Sequence, residues 1–100
     1  MVLKLLDYVS NGSSAMEGNE IFEILLNLLE TNENISISFK GLGAVSSSFV
    51  NSAFIRLLDK YSFNEIQKRI KFIDTLKIHN NLIKQRFQFE TSTRLTNTKV

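Results

Sequence analysis

One hundred residues, 43% hydrophobic and 22% charged, suffice for one globular domain with a modest core and are too few for two. The chain has no cysteine, which excludes a disulfide framework and a thiolate metal site. Its net charge of +2 conceals an asymmetry, −4 over residues 1–50 and +6 over residues 51–100, a pattern that suits either two solvated faces or a basic surface for an acidic partner.

Val2 to Val9 is rich in Val, Leu and Tyr and runs into Ser10-Asn11-Gly12-Ser13-Ser14, so it reads as a first strand ended by a turn, with a short helix as the alternative. Lys4 and Asp7 interrupt it, and no small-residue cleavage site follows. It is too short to span a bilayer and does not read as a secretory signal, so a cytoplasmic protein with no membrane association is expected.

From Glu17 the period changes: Ile21, Leu25, Leu28 and Leu29 recur at helical spacing with Glu20, Glu23, Asn27 and Glu30 opposite, predicting a helix that ends near Thr31 or Asn32. Ile35 to Phe39 alternates apolar residues with serine, the pattern of a strand with one face more deeply buried than the other: either one sheet face is thinly covered, or the small Ser36 and Ser38 lie under something close-packed. Gly41 and Gly43 then supply a turn. Beyond Ser46-Ser47-Ser48, a broad stripe of Phe49, Ala53, Leu57 and Tyr61, flanked by Val50, Phe54 and Leu58, predicts a buried helix.

Ser62-Phe63-Asn64-Glu65 matches a capping box, and a short helical turn through Gln67 is expected. Lys68 to Ile73 reads as a third strand with Ile70 and Phe72 on one face. Asp74 or Thr75 would cap a last helix that buries Ile78, Leu82, Ile83, Phe87 and Phe89, with His79 on its surface. Thr91 to Val100 is polar and is expected to be a flexible tail. The fold class is therefore α/β: one domain over residues 1–90, with a mostly parallel sheet of three to four strands and crossover helices.

Ile35 to Asp74 resembles the STAS-like domain family of unknown function, related in fold to the sulfate-transporter and anti-sigma-factor-antagonist domains. The resemblance is carried by the strand Ile35 to Phe39, the Gly41 turn, Ser46-Ser47-Ser48-Phe49 opening an apolar helix, and Glu65 with Lys68-Arg69-Ile70-Lys71-Phe72 before a final helix. It implies a small regulatory domain that binds proteins, including partners of the histidine-kinase ATPase type. In the partner-switching relatives an Asp-Ser pair at this turn carries a phosphoserine. By position Ser47 would be the acceptor, while Ser46 stands where those relatives have aspartate.

A phosphoserine there would bring about −1.5 to −2 charges to a helix start. The same serines also suit a plain N-cap worth about 1 kcal/mol, and the two roles are compatible. The expected partner-binding or regulatory surface is Gly41, Gly43, Ser46, Ser47, Ser48 and Asn51.

A second candidate surface is basic: Lys68, Arg69, Lys71, Lys77, Lys84 and Arg86, with Phe72 and Phe87 nearby. Single strands of nucleic acid would need those rings exposed for stacking, whereas their spacing suits a buried face. Ser47, His79 and Asp74 could be written as a triad, but no nucleophile elbow or oxyanion loop accompanies them. The lone histidine has no metal-binding companions, and no phosphate loop follows any glycine.

The sequence thus leads to a non-enzymatic regulatory interaction domain with no cofactor and no metal. An inhibitor of a host defence protein, carried by a phage or mobile element and acting by surface occupation, is the alternative; direct nucleic-acid binding ranks below both. A homodimer is expected on the thinly covered sheet face.

Overall fold

The computed structural model describes the backbone of residues 1–98 and the side chains of residues 1–94. Three strands, β1 (Val2–Lys4), β2 (Ile35–Ser38) and β3 (Ile70–Ile73), form an all-parallel sheet in the order β1-β2-β3. Four α-helices accompany them: α1 (Ala15–Thr31), α2 (Ser47–Ala53), α3 (Phe63–Arg69) and α4 (Lys77–Thr98). Each strand is followed by helix, and consecutive parallel strands lie side by side. Right-handed crossovers stepping one way along the sheet carry the helices to one side.

The two sheet faces differ accordingly. Leu3, Ile35, Ile37 and Ile70 point into the helical side and are at most 5% exposed. On the other face, the paired row Val2, Ser36 and Lys71 and the row Lys4, Ser38 and Ile73 leave Val2, Lys4 and Lys71 exposed. The serine alternation in β2 therefore reflects a sheet with helices on one face.

β1 is shorter than the run Val2 to Val9 suggests. β2 offers partners only as far as Ser38, so a longer first strand would have unpaired backbone groups. The chain instead tightens into a 3-10 turn at Leu5–Asp7, where the Tyr8 and Val9 amides both donate to the Leu5 carbonyl at 3.0 Å. This turn buries Leu5 and Val9 together.

α1 opens with Ser14, whose hydroxyl accepts the Glu17 amide. Its Gly18 lies hard against α2: a Cβ there would fall 2.7 Å from both the Phe49 carbonyl oxygen and the Ser52 Cβ. Arg56 also crosses to α1, donating to Asn19 at 2.8 Å with its guanidinium 4.0 Å from the Phe22 ring centroid. The pair α1 and α2 is the tightest helical seam in the fold.

The predicted helix through Tyr61 divides. α2 ends at Ala53, and a 3-10 turn follows over Ile55–Asp59. Phe49, Val50, Ala53, Phe54, Ile55 and Leu57 are all buried, a set too wide for one face of a regular helix; the change of pitch after Ala53 turns the later ones inward. Phe54 meets Phe39, Phe49 and Phe72 at centroid distances of 6.0, 6.1 and 5.1 Å.

Half of the expected capping box forms at Ser62: the Glu65 amide donates to the serine hydroxyl at 3.1 Å, while the Glu65 carboxylate lies 4.0 Å from the Arg69 guanidinium. α4 begins at Lys77 and runs through the polar segment from Thr91 to Thr98, while residues 99 and 100 of the expected tail lie outside the described residues. Ile83 and Phe87 are buried, but Ile78 and Phe89, expected inside, are 52% and 58% exposed. His79, expected outside, is fully buried. Replacing Ile78 by His79 on the inner side rotates the buried stripe by one position at the start of α4.

Candidate functional site

The carboxyl ends of parallel strands gather the loops that most often bind ligands and partners in α/β folds. Here three loops meet at that edge: Ser10–Ser14 before α1, Lys40–Val45 before α2, and Asp74–Leu76 before α4. Each is fastened to another by a side chain.

Ser46 joins the first two. Its hydroxyl accepts the Phe49 amide at 3.0 Å, making it the N-cap of α2, and donates to the Ser13 carbonyl at 3.0 Å. Its own amide donates to the Gly12 carbonyl at 2.8 Å, and Gly12 is packed so closely on Val45 that a Cβ would lie 2.4 Å from the valine methyl. Of the three serines, Ser46 is therefore the structural one. Ser47 and Ser48 occupy the first turn of α2 and are exposed.

His79 joins the second and third loops. The Leu76 amide donates to Nδ1 at 3.0 Å, which leaves the proton on Nε2, and this nitrogen donates to the Gly43 carbonyl at 2.6 Å. His79 is the third residue of α4 and reaches back to the amide just before the helix, as the Glu of a capping box does. Its ring also packs at a tilt of 40° against Phe39, centroid to centroid 4.8 Å.

Ser38 and Asp74 make a third fastening. The buried Ser38 hydroxyl donates to the Asp74 carboxylate at 2.6 Å and accepts the Lys40 amide at 3.2 Å. Asp74 itself has φ of 55°, a backbone state that Asp tolerates better than most residues because its short side chain bonds locally. That conformation turns the chain out of β3, which is why the helix expected at Asp74 or Thr75 starts later.

Gly41 has φ of +85°, as a turn glycine should. Gly43 is different: it has no positive φ and an added Cβ would meet nothing within 4 Å. What matters at Gly43 is its carbonyl oxygen. Asn51 is half-buried and accepts the Arg86 Nε–H at 2.8 Å, so it ties α2 to α4.

Glu17 supports the first loop. The Ser10 amide and hydroxyl donate to Oε2 at 2.8 and 2.9 Å, and the Asn11 amide and Ser14 hydroxyl lie within 3.4 Å. The Ser10 amide, then its hydroxyl, hold the carboxyl below its ordinary 4.5, against a smaller opposing effect of desolvation. The sequence signal for this role is the pattern Ser14-Ala15-Met16-Glu17, a serine followed three residues later by glutamate at a helix start.

The six basic candidates are distributed over α3, β3 and α4. Arg69 turns inward to the end of α1, donating to the carbonyls of Leu29, Asn32 and Glu33 at 2.5, 2.8 and 3.1 Å. Arg86 is engaged with Asn51 and lies 3.9 Å from Glu90. Lys71 is on the open sheet face, Lys68 lies beside Arg69 in a shallow polar hollow with Glu33 and Glu65, Lys84 borders an apolar groove, and Lys77 starts α4. Ser47, His79 and Asp74 do not form a relay, since both His79 nitrogens bond main-chain atoms and Asp74 bonds Ser38.

Among the described residues no group of three or more His, Asp or Glu side chains is placed to hold a metal ion, and no helix is long and apolar enough to cross a membrane.

A three-stranded parallel sheet with helices along one face and fastened loops at its carboxyl edge defines the class: a small α/β domain of the STAS-like kind. The family model described as a STAS-like domain of unknown function matches residues 17–80, and the chain belongs to that family. No curated protein and no solved structure matches it.

Proposed function

We propose that this protein is a non-enzymatic regulatory domain that docks a protein partner through the loop and helix start from Gly41 to Asn51. The observation that carries the reading is the contrast between fixed backbone and free side chains there. Lys40, Gly41, Gly43, Ala44, Ser47 and Ser48 are exposed, while Ser46 and His79 fix the backbone that presents them. A surface ordered before binding loses less conformational entropy on docking.

Ser47 is the regulatory position within it. Its hydroxyl is exposed and is not needed as the cap, so a phosphate would add about −1.5 to −2 charges to the docking surface without removing a fold contact. Family likeness favours a partner of the histidine-kinase ATPase type and a cytoplasmic setting. Ser47→Asp is expected to weaken partner capture from the native host while leaving the melting temperature unchanged. Equal capture by the two proteins would refute the docking site.

A second reading has its own support. Met16, 74% exposed, lies on the outer side of α1 with the exposed Glu20, Glu23 and Glu30, an acidic surface with an apolar anchor that suits an inhibitor occupying a basic site on a host protein. Reversing Glu20, Glu23 and Glu30 to lysine would abolish such inhibition, and indifference to the reversal would eliminate it. The open sheet face supports pairing with a second copy, for which light scattering at rising concentration is the check.

A further inference from the structure

A groove of about 530 Å³ opens between α3 and α4 along β3. Its floor is apolar: Ile70, Ile83 and Phe87 are buried, whereas Phe63 and Phe72 remain half-buried. Phe63 and Phe87 lie 5.3 Å apart, centroid to centroid. The rim is polar in a particular way. Gln67, Asn80 and Gln88 contribute carboxamides and Lys84 an ammonium group, and no carboxylate lines the groove.

β3 is also an edge strand, with β2 on one side and no strand on the other among the described residues. The Ile73 carbonyl accepts the Phe39 amide, so by alternation Ile70 and Phe72 turn their backbone groups outward. The Ile70 amide is given to the Ile66 carbonyl at the end of α3. The Ile70 carbonyl with the Phe72 amide and carbonyl form the template on which another extended chain can add a strand. An incoming strand needs alternating donors and acceptors along its length and pockets for every second side chain. The Ile70 carbonyl and the Phe72 amide and carbonyl supply the first, and the half-buried Phe63 and Phe72 side chains the second. Carboxamides both donate and accept, so Gln67, Asn80 and Gln88 can meet peptide groups in either sense.

We infer that this groove and the β3 edge together bind an extended segment of a partner protein, with apolar side chains at alternate positions and one carboxylate that reaches Lys84. The charge of the site selects this occupant over a second copy of the chain. A second copy presenting the same groove would offer Lys84 again and no carboxylate to meet it, so it leaves the charge of the rim without a complement. The other free edge, β1, carries Lys4 and no carboxylate. The inference does not depend on docking at Gly41 to Asn51, which uses the loops before α2.

The test is selection of random nonapeptides displayed on phage against the full chain, followed by titration of a selected synthetic peptide into isotope-labelled protein. Enriched peptides should alternate apolar residues and contain Asp or Glu. The bound peptide should shift the amide resonances of Ile70 to Ile73 and of Lys84. Lys84→Glu should weaken it at least tenfold, with an unchanged spectrum elsewhere reporting an intact fold, and Ser47→Asp should leave its affinity unaltered. Failure to enrich any such sequence, or equal binding by the Lys84→Glu protein, overturns the inference. So does a groove that takes decanoate but no peptide, or a concentration-dependent dimer whose shifted amides map to β3.

Discussion

The seam between α1 and α2 and the loops at the carboxyl edge lie a few residues apart in sequence yet are held by opposite means. At the seam, Gly18 lets two backbones approach until a single added carbon has no room. At the edge, Val45 alone among residues 43–46 packs on the core, and order comes from hydrogen bonds made by Ser46, His79 and the Ser38–Asp74 pair. Close packing tolerates no change of volume. A hydrogen-bonded loop can change its exposed side chains freely as long as the few fastening groups stay, which is the arrangement a recognition surface requires.

The sharpest way to break this comparison is Gly18→Val. Overpacking against backbone, which cannot swing aside, should cost about 3 kcal/mol and be visible as a large drop in the urea midpoint. Next comes His79→Leu, which keeps the buried volume but strands the Gly43 carbonyl and the Leu76 amide. A loss of about 2 kcal/mol is expected, with hydrogen exchange accelerating at residues 40–46 more than in α1. If exchange rises uniformly instead, the loop is not fastened through this histidine.

Glu17 gives a smaller effect that depends on pH. Because its folded-state value lies below the ordinary 4.5, the folded protein binds fewer protons than the unfolded chain in that range. Its contribution is full above the ordinary value and is lost as pH falls through the folded-state value. Glu17→Gln should therefore flatten the acid side of the stability profile, measured by urea unfolding at successive pH values. The smallest effect belongs to Gly43→Ala: with open space and an ordinary φ at that position, stability should change by less than about 0.5 kcal/mol, and the hydrogen bond from His79 should persist.

These differences also mark what was legible in the sequence. The strand from Ile35, the stripe of α1 and the Ser62 cap were readable because each depends on neighbours a few residues away. The serine alternation, by contrast, fitted both a thinly covered face and close-packed serines, and Ser38 is buried beside Asp74. β1 was overextended because its length is set by β2, thirty residues later. The division after Ala53 arises from how much apolar surface the core takes up, a tertiary demand that a helical period cannot express. In the candidate site, the turn at Gly41 and the capping role of the serine cluster were visible locally. His79 was not: its two partners are Leu76, which any residue could be, and the carbonyl of Gly43, which leaves no mark in sequence. Arg69 and Arg86 looked like surface charge for the same reason, since their acceptors are main-chain carbonyls and Asn51.

Arg69 has a bearing on how the chain acquires this structure as it is made. The end of α1 is closed by a side chain that follows it by 40 positions in the case of Leu29, and β2 lacks its second neighbour until Ile70 arrives. When the chain has emerged from the ribosome only as far as Lys60, α1 and β2 have been synthesised but neither has its full set of partners. The N-terminal half should then be no independent folding unit, and a nascent chain halted before Arg69 should remain open to protease until β3 and the base of α4 emerge.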